Sequence, residues 1–209
     1  YTDYWKRLGI SAIDHYHEMP DIPVMILNSW YDPYVATSIT NFLGLRKQRK
    51  SPVFLTMGPW IHGQRSVSLA GDVDFGEDAI FENYVGKSYS EYRVDWFDWC
   101  LKGKLSKQFN PYEPVSLFVM GGGEGCLNTE VRLKHGGAWG KYTSWPIPKA
   151  NQEFFYLNED GQLSPSIPAL EAAHQSFIYD PRTPTPTIGG AVTSGEPLMF
   201  GGAFNQKEQ

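Results

Sequence analysis

The chain has 209 residues, of which 41% are hydrophobic, 20% charged and 15% aromatic, so it is long enough to bury one sizeable core. The aromatic content argues against a disordered chain. A net charge of −5 offers nucleic acid no basic surface, and no apolar stretch reaches the roughly 20 residues that span a membrane. We therefore expect a folded protein that binds neither nucleic acid nor a membrane.

The ends of the sequence and its cysteines carry less information. The chain begins at Tyr1 without an initiator methionine or a signal-peptide pattern, and its last residues complete no motif, so we expect a piece of a longer protein. Cys100 and Cys126 are more typical of two separate thiols than of a disulfide, and they leave the cellular compartment open.

The first half of the chain alternates strand and helix signals. Residues 22–27 form a short apolar run that predicts a buried parallel strand, and residues 53–57 predict a second one. Between them, Val35, Ile39 and Phe42 recur at helical spacing. This succession predicts a β-loop-α-β unit.

The middle of the chain predicts a long helix and a further strand. Apolar and aromatic residues from about Ile80 to Leu101 favour one helix, which Gly103 would end as a C-cap. Residues 115–120 predict another strand, followed by a glycine-rich loop at residues 121–125.

Beyond about Pro148 the pattern changes to short β-like runs separated by turns. Residues 153–157 and 176–179 are two such runs, with no helical pattern between them, which predicts a β-sandwich or jelly roll. We therefore expect an α/β domain over residues 1–147 and a β-rich domain over residues 148–209.

Two residues with the chemistry of a catalytic dyad follow the two predicted parallel strands. Asp32 comes after the first strand and His62 after the second. Because the carboxyl ends of neighbouring parallel strands meet at one sheet edge about 4.8 Å apart, we expect the two side chains to be in contact. An Asp that orients an imidazole acting as general base needs this adjacency. The alternatives are a turn-forming Asp before proline and a simple loop histidine.

The nucleophile of such a site is not in the sequence. A Gly-x-Ser-x-Gly motif, whose serine precedes the Asp and the His in an α/β-hydrolase, occurs nowhere. The nearest pattern, Gly86-Lys87-Ser88-Tyr89-Ser90, lacks the final glycine. Spacing alone therefore leaves two hypotheses: the dyad has no catalytic role, or its serine lies upstream of Tyr1.

A series of short motifs resembles one family of serine hydrolases. In chain order these motifs are Trp30-Tyr31-Asp32, Gly58-Pro59-Trp60-Ile61-His62-Gly63, Asp74-Phe75-Gly76, Trp96-Phe97-Asp98, Phe118-Val119-Met120-Gly121, Trp145-Pro146, Asp160-Gly161-Gln162-Leu163-Ser164, and Tyr179-Asp180-Pro181 followed by Gly189-Gly190. Together they are similar to the cocaine-esterase and glutaryl-acylase family, which includes α-amino-acid ester hydrolases and is related to X-Pro dipeptidyl-peptidases.

The resemblance implies a fold of the α/β class. Residues 1–147 would be the C-terminal half of an α/β-hydrolase fold, and residues 148–209 would be the first strands of a jelly-roll domain. The serine, the oxyanion-hole tyrosine and the cap of the family would precede Tyr1, so the chain would be a C-terminal fragment.

The resemblance also implies a site and a reaction. Asp32 matches the catalytic acid and His62 the catalytic base of a serine hydrolase that cleaves esters or amides through an acyl-enzyme. Tyr31, Tyr34 and Trp60 flank this dyad and are candidates for substrate binding, with packing beside the strand ends as the alternative. The implied partners are a small ester, amide or short-peptide substrate and the segment or chain that carries the serine.

The sequence predicts no cofactor and no metal site, and it leaves the substrate identity and a homo-oligomer open. A second hypothesis is a non-catalytic β-sandwich protein that keeps the fold and binds a partner. An upstream Gly-x-Ser-x-Gly segment and turnover of esters would distinguish the enzyme from the binding protein.

Overall fold

A computed structural model of the chain describes residues 2–7, 9–158, 160–168, 176–192 and 199–207. The structure is mixed α/β, which confirms the class expected from the sequence. It divides into two compact units, one made of Tyr1–Trp145 with Ile188–Gln209 and the other of Pro146–Thr187.

The first unit contains both helices and strands, and the described residues of the second unit form only short strands. In chain order the elements are a 3₁₀ helix at Ile13–His15, β1 at Val24–Tyr31, α1 at Val35–Gln48, β2 at Val53–Ile61, β3 at Leu69–Ala70, β4 at Val73–Asp74, a 3₁₀ helix at Glu77–Ala79, α2 at Phe81–Val85, α3 at Tyr89–Lys102, β5 at Val115–Met120, β6 at Leu133–Lys134, β7 at Gly137–Tyr142, β8 at Tyr156–Leu157 and β9 at Leu163–Ser164.

The main sheet of the first unit has the strand order β1-β2-β5-β7 among the described residues. Strands β1, β2 and β5 are parallel, and β7 pairs antiparallel with β5. Strand β2 buries eight of its nine residues, as expected for an inner strand of a parallel sheet. The three strands predicted from apolar runs are therefore confirmed, and β7 was missed.

Helix α1 connects β1 to β2 and completes the predicted β-loop-α-β unit. It packs through Phe42 and Leu45, which are both buried, and its last turn carries Arg46 and Lys47. Cations at this end interact favourably with the partial negative charge of the helix C-terminus.

The single long helix expected from about Ile80 to Leu101 is wrong, because the structure divides it into α2 and α3. Gly86 ends α2 with φ at 70°, a left-handed conformation that glycine adopts without a side-chain clash. Ser88 then caps α3: its side chain accepts the Glu91 N–H, and the Glu91 carboxylate accepts the Ser88 N–H. This capping box is a helix start signal that the apolar periodicity had obscured.

Helix α3 packs through aromatic side chains. Tyr92 and Trp96 are buried, and Trp96 lies 5.7 Å from Phe54 of β2 and 5.1 Å from Phe109, measured between ring centroids. Both pairs are T-shaped, the arrangement that aromatic quadrupoles favour. The large apolar residues that α3 leaves exposed are Val94, Phe97 and Leu101.

The segment Ile188–Gln209 belongs to the same unit as the main sheet. Ala203 forms a parallel bridge with Gly71 and donates its N–H to the Ala70 carbonyl, while the Asn205 N–H donates to the Asp72 carboxylate. These bonds hold the end of the chain beside the short strands β3 and β4.

The unit Pro146–Thr187 contains the antiparallel pair β8 and β9, with Tyr156 opposite Ser164. The predicted run at residues 153–157 thus contains a strand, whereas residues 176–179 do not form one. Residues 159, 169–175, 193–198 and 208–209 of the expected second domain lie outside the described residues. The jelly roll and the division into residues 1–147 and 148–209 stay predictions.

In the part of the chain that the structure describes, no helix is both long and apolar enough to cross a membrane. Cys100 is half-buried and Cys126 is exposed, and both are free thiols, as the sequence predicted.

Candidate active site

The candidate site lies where β1 and β2 end. Tyr31 is the last residue of β1 and Ile61 the last residue of β2, and these two residues are register partners in the parallel pair. Asp32 and His62 therefore leave the sheet side by side, at the carboxyl edge where α/β sheets place functional groups.

A bulge in β2 produces this alignment. Ser29 pairs with Gly58, but Tyr31 pairs with Ile61, so two steps along β1 correspond to three along β2. Without the extra residue, Asp32 would lie opposite Ile61 instead of His62. Bulges of this kind re-aim side chains beside active sites.

The sequence Gly58-Pro59-Trp60 explains the bulge. Pro59 has no N–H to donate to the ladder, which disfavours regular pairing at this point. A Cβ on Gly58 would lie 2.3 Å from the Trp60 ring, so glycine leaves the room that the indole fills. Trp60 is 3% exposed and donates its indole N–H to the Ala79 carbonyl at 2.7 Å.

Asp32 is buried and both of its carboxylate oxygens accept hydrogen bonds. Oδ2 lies 2.7 Å from Nδ1 of His62, and Oδ1 accepts the Tyr34 N–H at 2.8 Å. The Asp32 carbonyl accepts the Val35 N–H at the start of α1. The carboxylate is therefore held by the turn into α1, and its second oxygen is directed at the imidazole.

The His62 ring is oriented by Asp32 and open on its other side. Because a carboxylate only accepts hydrogen bonds, Nδ1 carries the proton of this contact, which leaves the lone pair of Nε2 available as a base. The His62 side chain is 53% exposed, and Nε2 has no hydrogen-bond partner among the described residues. This arrangement can accept a proton from a group placed at Nε2.

The three flanking aromatic residues occupy different environments. Tyr34 is exposed, and its ring centroid lies 5.8 Å from that of His62. Tyr31 packs 6.3 Å from Phe75, and burial raises the pKa of its phenol. Trp60 belongs to the aromatic core and also lines the smaller cavity that contains the dyad. The role of the three residues in substrate binding stays a prediction.

Two cavities border His62. The larger has a volume of about 580 Å³ and is lined mostly by apolar residues, among them Ile61, Val67, Leu69 and Phe200. The smaller has a volume of about 200 Å³ and contains the dyad itself. Polar and aromatic residues that line the smaller cavity and were not predicted as site residues include Asn28, Ser29, Arg65 and Tyr89. Arg65 was within reach of sequence reasoning, because it follows His62 by three positions in the same loop.

Within the described residues, no group of three or more His, Cys, Asp or Glu side chains is arranged to hold a metal ion.

A comparison with protein families gives a match over the start of the chain. Residues 1–64 match the family model described as X-Pro dipeptidyl-peptidase (S15 family). The matched segment covers less than a third of the chain, and both Asp32 and His62 lie in it. The match supports a hydrolase of the serine peptidase and esterase type. A comparison with curated proteins finds no match.

Proposed function

We propose that this chain carries the catalytic acid and base of a serine hydrolase, with Asp32 as the acid and His62 as the base. The observation that carries the proposal is the 2.7 Å contact between Asp32 Oδ2 and His62 Nδ1, made by residues that directly follow two parallel strands. A buried carboxylate that orients an imidazole with a free Nε2 is the arrangement that activates a serine hydroxyl.

The proposed reaction is acyl transfer in two steps. A serine hydroxyl attacks the carbonyl carbon of an ester or amide while His62 Nε2 takes its proton, and His62 then gives that proton to the leaving alcohol or amine. In the second step His62 takes a proton from water, which attacks the acyl-enzyme, and then returns a proton to the serine oxygen as the carboxylic acid leaves. Asp32 accepts the Nδ1–H throughout and stabilises the imidazolium that forms in each step.

The serine is proposed to come from a segment or chain outside these 209 residues. The sequence has no Gly-x-Ser-x-Gly motif, and no described hydroxyl is bonded to His62. Strand β1 is an outer strand of the main sheet, and no other described strand pairs along its second edge. Such an edge presents unpaired N–H and C=O groups that a further strand can satisfy. A second copy of the chain could also pair with this edge and form a homo-oligomer, but it has the same sequence and would not supply the motif.

The short motifs of the sequence support a more specific proposal than serine hydrolase alone. We infer a relative of the cocaine esterases, acylases and α-amino-acid ester hydrolases, with residues 1–147 as the C-terminal half of an α/β-hydrolase domain. Residues 148–209 would begin a jelly-roll domain. The cavity of about 580 Å³ beside His62 lies within the range of about 300–1,000 Å³ that is usual for small-molecule sites. This size suits a small ester, an amide or a short peptide.

Labelling with a fluorophosphonate, which reacts with activated serines, tests the proposal. The protein is isolated from its natural source with any associated chain, and its intact mass is measured before and after labelling. We expect one probe adduct, on a serine outside residues 1–209. His62→Ala should abolish labelling, and the exposed His17→Ala should not. A protein that takes no label, or a His62→Ala variant that labels normally, would refute the proposed function.

A further inference from the structure

Arg65 borders the smaller cavity beside His62 and has no role in the proposed acid-base chemistry. It lies in the loop that follows β2, where its carbonyl accepts the Phe81 N–H at 2.9 Å. The lining of the cavity includes His62, Gly63, Arg65 and Tyr89. The loop thus places Arg65 at the same cavity as the proposed base.

The guanidinium of Arg65 is held in place without hydrogen bonds to the described residues. Its Cζ lies 3.7 Å from the centroid of the Tyr89 ring, close enough for a cation–π contact. Its Nε is buried without a hydrogen-bond partner and lies 3.9 Å from Oε1 of Glu82, a distance too long for a hydrogen bond. That oxygen already accepts the hydroxyl of Ser66 at 2.9 Å.

Only about a third of the Arg65 side chain is exposed, so water reaches its donors incompletely. Buried donors without partners are unfavourable, and an arginine presents five N–H donors in a planar fork. The two oxygens of a carboxylate match this fork, which is why arginine is the usual receptor for such groups.

Two carboxylates lie near Arg65: Glu82 is within ion-pair distance of its Nε but forms no hydrogen bond with it, and Asp32 lines the same cavity. Asp32 uses both of its oxygens, one for His62 and one for the Tyr34 N–H. A volume of about 200 Å³ is below the range of about 300–1,000 Å³ for a whole small-molecule ligand. It is enough for the end of a substrate whose reacting carbonyl lies at His62.

We propose that Arg65 is a specificity-determining residue that binds a carboxylate group of the substrate, so that the enzyme prefers esters or amides with a carboxylate on the acyl or leaving group. This inference deepens the proposed function and rests on it. The Tyr89 ring contacts the guanidinium, and the Glu82 carboxylate lies within ion-pair distance of its Nε.

Binding to the 209-residue chain tests the inference without the serine. Adipate and hexanoate have the same chain length and differ by one carboxylate, and their dissociation constants are measured by NMR titration. We expect adipate to bind more tightly, and Arg65→Gln to weaken adipate binding about 10- to 100-fold. Arg65→Lys should retain part of the preference because it keeps the charge and loses the fork. Arg93→Gln is the matched control, because the exposed Arg93 contacts the same Tyr89 ring at 5.7 Å.

Hydrolysis by the natural protein with its nucleophile gives the second readout. The ratio of kcat/KM for mono-4-nitrophenyl adipate over 4-nitrophenyl hexanoate should fall about 10-fold or more in Arg65→Gln. An unchanged ratio with active enzyme would overturn the role of Arg65 and leave the hydrolase proposal intact. Loss of all turnover in the wild type, with adipate binding that still depends on Arg65, would overturn the hydrolase proposal alone. A wild-type chain that binds adipate no better than hexanoate would overturn the inference about Arg65.

Discussion

In the unit that contains the main sheet, strand β2 buries eight of its nine residues, whereas none of the described residues of Pro146–Thr187 is buried. Phe177 and Ile178 of the second unit are 88% and 96% exposed. Because burial of apolar surface is the main term that stabilises a fold, the first unit has a core of its own and the second shows none in its described residues. Aromatic content alone therefore does not locate a core.

The position of the candidate site follows from this difference. Asp32 and His62 emerge from strands that the core holds in register, so their contact is fixed by elements that move little. We expect changes in the first unit to alter activity or stability, and equivalent changes in Pro146–Thr187 to have small effects.

The largest effect is expected for Asp32→Asn. The side-chain amide of the variant can still accept the Tyr34 N–H. Toward His62 Nδ1 it presents either an NH₂ group, which is a donor, or an uncharged oxygen, which is a weaker acceptor than a carboxylate. The ring then favours the tautomer that is protonated at Nε2. In the natural protein with its nucleophile, kcat for a 4-nitrophenyl ester should fall about 10⁴-fold. Asp180→Asn is the control, because Asp180 pairs with Arg182 in the second unit. Equal losses in both variants would mean that Asp32 acts through folding alone.

Phe54→Ala should have the largest effect on stability. Phe54 is 4% exposed and lies between Trp96, Trp99 and Phe109. Its truncation should lower the free energy of unfolding by about 3–5 kcal/mol in urea denaturation of the chain. Phe177→Ala should change this value by less than about 0.5 kcal/mol. If Phe177→Ala costs as much as Phe54→Ala, the second unit contributes to a core and the contrast between the units is wrong.

Gly58→Ala tests the bulge that aligns the dyad. The added methyl would meet the buried Trp60 ring, so either the indole or the strand must shift. We expect a loss of about 1–3 kcal/mol in the free energy of unfolding, together with a longer Asp32–His62 contact. Gly122→Ala is the control, because no atom lies within 4 Å of the added methyl. A fully stable Gly58→Ala variant with normal activity would contradict the explanation of the bulge.

The smallest effect is expected at alkaline pH. Burial raises the pKa of the Tyr92 phenol well above its ordinary value. The neutral phenol therefore stabilises the fold fully below about pH 10, the pKa of an unfolded tyrosine, and this contribution is lost as the pH rises further. Tyr92→Phe should reduce the drop in unfolding free energy between about pH 8 and about pH 11. Tyr179→Phe, at an exposed position, should leave the drop unchanged.

The strands that place the site were predictable because their residue pattern is strong. Continuous apolar runs at residues 22–27 and 53–57 predicted β1 and β2, and the turn after each of them led to Asp32 and His62. Parallel pairing brings the ends of the two strands together, and the bulge in β2 then sets Asp32 beside His62. Their catalytic roles stay predictions.

The remainder of the site depends on contacts that periodicity does not encode. In the sequence, the only sign of the bulge in β2 is the pair Gly58-Pro59. A one-residue shift in the pairing register of β1 and β2 cannot be read from an apolar run. The approach of Arg65 to Tyr89 depends on where α3 begins, and apolar periodicity hides that start because it continues from α2 into α3. Strand β7 lacks a strong apolar pattern, since it is Gly137–Tyr142 with two glycines.

The protonation of the His62 ring nitrogens is the most direct test of the central claim, which is that Asp32 holds the imidazole with a free base at Nε2. In the ¹⁵N-labelled chain, at a pH where the ring is neutral, NMR shifts of the two nitrogens distinguish the protonated one from the bare one. We predict that Nδ1 carries the proton and that Asp32→Asn moves it to Nε2. A wild-type ring protonated at Nε2, or one that does not respond to Asp32→Asn, would contradict the account.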